Sequence, residues 1–534
     1  MSRYDHLERD DLIRLLQRRD AERQLGLVWE RDEIEAERAL NDDYVALQPD
    51  LALSHGEAPW KNLIIEGDNF DALRALKLSH KEAIRCIYID PPYNTGNRDF
   101  VYNDRFVDKS HRFRHSLWLE FMHQRLTLAK ELLADDGVIF VSIDDNELFR
   151  LGMLMDRVFG EENWIQSFIW KKSYGGGAKA RYVLGMHEYV LCYGKQKSMI
   201  RSFNLPPDPK VLKYYKFRDE KFEVRGPYRL QPLATRSMDY RENLRYSIPY
   251  LGEEIWPEKQ WQWRKERALD ALERNELVIT GDEGRRSVNY KQYLRDEDGE
   301  DRGAKPRSIL DGPYTQEGTA EIRDIFGDGK VFSFPKPSAL VGNLASMLPK
   351  DTTILDFFAG SGTTAHAIAK LNAEDGGDRR FILVSSTEAT EDAPDKNLCR
   401  DVCAERVRRV MGGYVNAKGE AVPGLGGGFA YLRARRIPKH RLNLKLAHDE
   451  VWSALQLLHE RPLTPWSGGG FAADGGLAYL ADFREASLTR LDAWLAEAGD
   501  DRVLYSWAPD RLRERAPAVW RLPIPQHLRD RFGR

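Results

Sequence analysis

The chain has 534 residues, 42% of them hydrophobic and 31% charged, with a formal net charge of -3 and a mean hydropathy of -0.57. That is too apolar for a disordered chain, and at about 150 residues per domain it makes three or four folded domains. No apolar run approaches the ~18 residues that cross a bilayer. The start Met-Ser-Arg-Tyr-Asp-His lacks an apolar export segment, and four cysteines cannot build a disulfide scaffold, so a reducing, cytoplasmic setting away from membranes is expected. The 81 Lys+Arg and 84 Asp+Glu nearly cancel, which leaves nucleic acid open as a partner, because binding depends on where positive charge clusters.

Residues 1 to 60 read as a charged helical arm, with Leu12, Ile13, Leu15 and Leu16 on one stripe that packs on its own domain or on another subunit. From 61 to 195 the texture is α/β. Strands are expected at 62–65, 84–89, 138–143 and 188–193, and helices at 70–79, 118–133 and 146–159, which makes a mostly parallel sheet covered on both faces. Between 196 and 318 that alternation stops. The segment mixes Arg and Lys with aromatics such as Tyr214, Tyr240, Tyr246, Trp256 and Trp261, and reads as an inserted domain with most of its rings in the core. The α/β texture returns over 319–435, with strands at 354–358 and 381–385 and a helix over 363–371. Residues 436–534 form a small α/β appendage without a chemical motif.

Two motifs carry chemistry. The first, Asp90-Pro91-Pro92-Tyr93, follows a buried strand. Consecutive prolines stiffen the chain and remove two amide donors, so a carboxylate, open carbonyls and an aromatic face meet at a strand's carboxyl end. Those groups suit an exocyclic amino group on a flat ring; an isolated Pro-Pro would read only as a turn. The second, Asp356-Phe-Phe358-Ala359-Gly360-Ser361-Gly362-Thr363, is a strand, a glycine-rich turn and a helix start. Its small residues admit a ligand close to the backbone, and its helix N-terminus offers amides to a carboxylate. The full Gly-x-Gly-x-x-Gly and the phosphate-loop Lys are absent, which disfavours NAD and ATP. Glu388, after the next strand, stands where a carboxylate grips ribose hydroxyls in such sheets, and equally reads as a surface residue.

Together these motifs resemble the amino-methylating DNA methyltransferases of the β class. In that family Asp-Pro-Pro-Tyr is the catalytic tetrad and precedes the cofactor loop, and a DNA-reading insertion lies between. Supporting matches are Glu66-Gly-Asp68-Asn69, Asp135 to Asp145, His187-Glu-Tyr-Val-Leu191 and Phe334-Pro-Lys336-Pro337. The start, ending Leu25-Gly-Leu-Val-Trp29, is similar to modification subunits of type III restriction systems. The resemblance covers about residues 10 to 435. It implies a Rossmann-like sheet in permuted order with 196–318 as target-recognition domain. Asp90, Pro91, Pro92 and Tyr93 would then be catalytic, and S-adenosylmethionine would be held by Asp68, Lys336, Asp356, Phe358, Ala359, Gly360, Ser361, Gly362, Thr363 and Glu388.

That resemblance implies methylation of adenine N6 in double-stranded DNA, with base flipping into the pocket. Asp at the first tetrad position leans to adenine over cytosine N4, where Ser is commoner. No Pro-Cys thiolate for cytosine C5 chemistry is present, and Cys399 and Cys403, without a second ligand pair, read as core residues, so no metal is required. The basic, glycine-hinged loop after Trp170 carries Lys171, Lys172, Lys179 and Arg181, which could clamp phosphates or simply be solvated. A homodimer and a separate helicase-nuclease restriction subunit are open partners. The competing readings are a specificity subunit that only binds DNA, against which the intact tetrad argues, and methylation of RNA or a protein amide.

Overall fold

The computed structural model describes residues 43–96, 114–175, 182–205, 211–299, 303–389, 393–438, 446–497 and 501–531, with the isolated Arg9 and Ile13 and the backbone of 101–102, 105–106 and 209–210. They form two compact units, Ser202–Pro306 and the remainder. The larger unit is built on strands β1 (Tyr44–Pro49), β2 (Asn62–Glu66), β3 (Ile84–Ile89), β4 (Leu133–Ile143), β5 (Trp164–Lys171), β6 (His187–Gly194), β7 (Ile309–Asp311), β8 (Thr353–Asp356), β9 (Arg380–Ser385) and β10 (Phe429–Ile437). Their spatial order is β1-β10-β2-β9-β8-β3-β4-β6-β5-β7. Neighbours from β10 through β4 are parallel, while β1 and β6 run against the strands beside them.

Burial on both faces follows from the period of two along each strand. Ile87, Ile89, Ile139, Val141, Leu355 and Ile382 join one cluster with Leu73 and Leu76 of α1 (Asn69–Lys77), Trp118 and Met122 of α2 (Arg114–Leu132) and Leu151 and Met155 of α3 (Leu148–Phe159). The alternate residues Cys86, Tyr88, Val138, Phe140, Ile354 and Leu383 are equally buried, yet lie outside that cluster. The opposite face is therefore covered too. Further along the chain come α4 (Thr315–Phe326), α5 (Ser338–Ala345), α6 (Thr363–Asp375) and α7 (Glu405–Gly412). The chain leaves β3 through α2 to β4 on one side, and leaves β8 through α6 to β9 on the other. Because β3 and β8 are adjacent, with Cys86 opposite Ile354 and Ile87 opposite Leu355, the sheet reverses its winding between them. Open α/β sheets bind ligands in that crevice.

Three sequence boundaries shift. The inserted unit is Ser202–Pro306, narrower than 196–318, since Ile309–Asp311 rejoins the main sheet beside β5. Its core joins Leu233, Tyr246, Ile248 and Trp261 under the strands Tyr228–Pro232, Leu277–Thr280 and Ser287–Tyr293, while Tyr214, Tyr240 and Trp256 are exposed. Residues 44–49 are edge strand β1 rather than part of a helical arm; the stripe at Leu12, Leu15 and Leu16 lies outside the described residues. The appendage does not stand apart as a compact unit: Trp60 and Leu463 exchange backbone hydrogen bonds at 2.9 and 2.8 Å, tying its four-stranded sheet to the larger unit. No described helix is long and apolar enough to cross a membrane.

Candidate active site

The turn after β3 is held from below. The Trp118 indole N–H donates to the Pro92 carbonyl at 2.7 Å, so that carbonyl belongs to the scaffold, whereas the Pro91 carbonyl has no such partner among the described residues. The Tyr93 hydroxyl donates to Asp90 Oδ1 at 2.8 Å and lies 3.2 Å from Glu188 Oε2. Between the two carboxylates stands Lys336, whose Nζ is 3.1 Å from Asp90 Oδ1, 3.1 Å from Glu188 Oε2 and 2.6 Å from the Tyr93 oxygen. The same ammonium lies over the Tyr93 ring at 4.7 Å and the Trp170 ring at 5.6 Å. Glu188 Oε1 accepts from Lys172 Nζ at 2.9 Å.

The charges in this cluster set one another. Burial pushes Asp90 above the usual carboxylate range; Lys336 opposes that push and Glu188 adds to it. Burial would raise Glu188 too, but Lys336 and Lys172 together hold it below its ordinary value. Burial would lower Lys336, and the two carboxylates outweigh it, so the ammonium is raised. Asp90 keeps 27% of its side chain exposed, enough to meet an incoming group.

The glycine loop occupies the neighbouring strand end. Gly360 and Gly362 both take left-handed backbone, at φ 49 and 79. A Cβ on Gly362 would meet Cys403 O at 3.0 Å and Cys403 Sγ at 3.2 Å, and one on Gly360 would meet the Phe332 ring at 3.1 Å. Glycine is needed at both positions, for conformation and for space. The amides of Gly360 and Ser361 have no backbone acceptor among the described residues, and they adjoin the N-terminus of α6. That is a donor set suited to a carboxylate.

Several predicted residues serve the loop rather than face a ligand. Asp356, 3% exposed, accepts from Phe358 N at 3.0 Å and Thr364 Oγ1 at 2.5 Å, and burial raises its carboxyl to about 7. Ala359 N donates to Val384 O at 3.1 Å. The Ser361 and Thr363 hydroxyls accept from Arg406 at 3.0 and 2.8 Å, and that fully buried guanidinium also pairs with Glu321 at 2.9 Å. Phe358 is half-buried against Phe121, with ring centroids 5.9 Å apart.

Asp68 caps α1, accepting from Phe70 N at 2.9 Å, and pairs with Arg125 at 3.3 Å while its side chain stays 51% exposed. Glu388 is exposed, at φ 52, and pairs with Lys396 at 2.8 Å. Lys336, expected beside the cofactor loop, instead directs its ammonium to the tetrad; only its backbone carbonyl meets the loop, 3.4 Å from Thr363 Oγ1. Lys172 points to Glu188, and Lys171 pairs with Asp311 at 2.8 Å, so neither is an unpaired cation. Lys179 and Arg181 lie outside the described residues.

Sequence reasoning missed Glu188, Glu321 and Arg406. Signals existed for two of them. Glu188 shares the inward phase of its strand with Val190 and Cys192, and Arg406 sits on an apolar helical stripe with Cys403, Val407 and Val410.

Residues 84–391 match a family model described as DNA methylase. The chain is 34% identical over 379 residues to the StyLTI Mod subunit, a type III restriction-modification enzyme of Salmonella typhimurium, covering 65% of this chain and 57% of that protein. It is 35% identical over 348 residues to the type II methyltransferase M.KpnI of Klebsiella pneumoniae, covering 60% of this chain and 79% of the relative. To the EcoPI Mod subunit of Escherichia phage P1 it is 32% identical over 385 residues, covering 61% and 58%. The chain thus spans less than two thirds of the length of either Mod subunit. Among solved structures it is similar to the PvuII DNA methyltransferase, described as cytosine-N4-specific, at a TM-score of 0.34 and 11% identity over 68% of this chain and 97% of that one.

Proposed function

Because the chain belongs to the DNA methylase family, we propose that it transfers a methyl group from S-adenosylmethionine to the N6 amino group of adenine in double-stranded DNA. One observation carries the reading: the Asp90-Pro-Pro-Tyr93 turn and the glycine loop leave adjacent parallel strands, β3 and β8, on either side of the point where the sheet reverses its winding. S-adenosylmethionine supplies an electrophilic methyl group when bound. The residues present fit it. The Gly360 and Ser361 amides and the first turn of α6 would face its carboxylate, half-buried Phe358 belongs to the same loop, and Asp68 keeps its side chain 51% exposed.

The Asp90 carboxylate and the Pro91 carbonyl accept the two hydrogens of the target amino group. Held there, the nitrogen directs its lone pair away from both acceptors, toward the glycine-loop side of the crevice. Tyr93, half-buried, offers its ring to a flat base, while Trp170, 1% exposed, packs beneath the same Lys336 ammonium. Catalysis is then positioning plus fixed charge, without a covalent enzyme intermediate. A base stacked in a duplex cannot reach these groups, so the target base leaves the stack.

The Ser202–Pro306 unit has a core of its own and exposed rings and arginines, and it is the module assigned here to reading DNA sequence. The likeness to Mod subunits supports a role in a restriction-modification system with cleavage on a separate polypeptide. The test is direct. The purified chain is incubated with unmethylated genomic DNA and methyl-labelled S-adenosylmethionine, and the DNA is digested to nucleosides. Label in N6-methyldeoxyadenosine is expected. Label in N4-methyldeoxycytidine would move the assignment to cytosine, and no label in DNA would overturn it.

A further inference from the structure

One carboxylate suffices to hold an amino group, yet this pocket contains two. Glu188, 7% exposed, comes from β6, an antiparallel strand on the far side of β4 from the switch point. A second buried carboxylate beside the first is costly unless cations match it, and here two do. Lys336 has three N–H groups and three acceptors in reach: Asp90 Oδ1, Glu188 Oε2 and the Tyr93 oxygen. Lys172 holds the outer oxygen of Glu188 at 2.9 Å, and its own side chain is 31% exposed. With its oxygen fixed by Lys336, the Tyr93 hydroxyl can aim its proton at either carboxylate, at 2.8 or 3.2 Å.

We propose, resting on the methyltransferase reading, that Glu188 is a positioning residue of the transfer step: through Tyr93 and Lys336 it keeps Asp90 a strong enough acceptor to take the proton that the methylated nitrogen must shed. Once nitrogen has gained the methyl group it carries one proton too many and a positive charge. One N–H bond breaks, its electron pair stays on nitrogen, and an O–H bond forms on Asp90. That proton passes to water as the product leaves, which restores the carboxylate.

Glu188 and Lys336 act on Asp90 with opposite signs, the first favouring its protonated form and the second its charge. The other titratable groups facing Asp90 do not compete for this task. Tyr93 and Tyr88 are raised well above their ordinary value, by burial first, and stay protonated. Asp356, at the end of β8, is tied to Thr364 and Phe358. Lys172 reaches Asp90 through Glu188.

The test is the acid limb of the single-turnover methylation rate. It is measured with the full chain, unmethylated phage DNA and labelled S-adenosylmethionine, both saturating. In Glu188→Gln the limb should move to lower pH by about one unit, and in Lys336→Met to higher pH by about one unit, each about tenfold in rate on the limb. A role in packing alone does not give opposite displacements. A limb that stays in place in Glu188→Gln, or moves the same way in both variants, overturns the proposal. Thermal unfolding checks the variants. If Glu188→Gln does not fold, Lys172→Met carries the test: freed of that ammonium, Glu188 pushes Asp90 harder, so the limb moves to higher pH, and an unmoved limb overturns the proposal. Failure of the wild-type chain to methylate DNA at any pH overturns the methyltransferase reading instead.

Discussion

Arg406 is the residue whose loss should most affect the glycine loop. Its side chain is fully buried and donates to Ser361 Oγ at 3.0 Å, Thr363 Oγ1 at 2.8 Å and Glu321 Oε2 at 2.9 Å. Arg406→Met keeps the apolar stem and removes the cation. Removing one partner of a buried ion pair costs about 3–5 kcal/mol, and each hydroxyl left without a partner about 1–3. Two features reduce the total. Glu321 is 23% exposed and can regain water, and the Ser361 and Thr363 hydroxyls are 3.4 Å apart and can turn to one another. The low end, about 3 kcal/mol, is therefore expected. Because the lost contacts sit on the loop, much of this should appear as lost preorganisation, a rise of about tenfold to a hundredfold in the Kd for S-adenosylmethionine. Calorimetric titration measures that, and thermal unfolding records the remainder as a lower Tm. A variant with wild-type affinity and wild-type Tm would refute the reasoning, since no buried network could then be supporting the loop.

Asp90→Ala should abolish methyl transfer while the Kd for S-adenosylmethionine stays within about threefold, because the role proposed for the carboxylate is on the target base; near-normal turnover would remove Asp90 from the site. Asp356 makes a pH prediction. Its folded value, raised by burial to about 7, lies above the unfolded carboxylate near 4, so its contribution to stability is present below about pH 4 and lost as pH rises through about 7. Asp356→Asn removes that titration, so its Tm relative to wild type should improve between pH 5 and pH 8; an equal difference at both would contradict the buried charge. Exchanging Ser202–Pro306 for the matching unit of a relative should change which sequence is methylated and leave the methylated base the same. A folded chimera still modifying the original site would place specificity elsewhere.

The strands near 62–66, 84–89, 138–143, 188–193, 353–356 and 380–385 were legible because they are apolar runs bounded by turn residues, and each chemical motif directly follows such a run; β1, β5, β7 and β10 were not. A Pro-Pro turn after β3 and a Gly-x-Gly turn after β8 report local geometry, which sequence neighbours determine. What could not be read is whatever depends on side chains from distant segments. Lys336 stands between two prolines, and nothing local indicates that its carbonyl meets Thr363 while its ammonium reaches Asp90, residues that the sequence presents as two separate half-sites. The boundary at 318 erred for a related reason: Ile309–Asp311 is too short to announce itself as a strand and is one only because β5 offers it a parallel edge.

These long-range contacts also make the two half-sites one object. Arg406 binds Thr363 Oγ1 at 2.8 Å, that hydroxyl lies 3.4 Å from the Lys336 carbonyl, and the Lys336 ammonium is 3.1 Å from Asp90. A continuous run of polar contacts thus leads from the buried cation behind the glycine loop to the Asp90 carboxylate. A methyl transfer in line needs donor and acceptor fixed together, and fixing each to its own strand would leave the crevice between β3 and β8 free to breathe. Lys336 bridges that crevice with backbone on one side and charge on the other. The same ammonium that restrains Asp90 electrostatically therefore also fixes where Asp90 stands relative to the glycine loop.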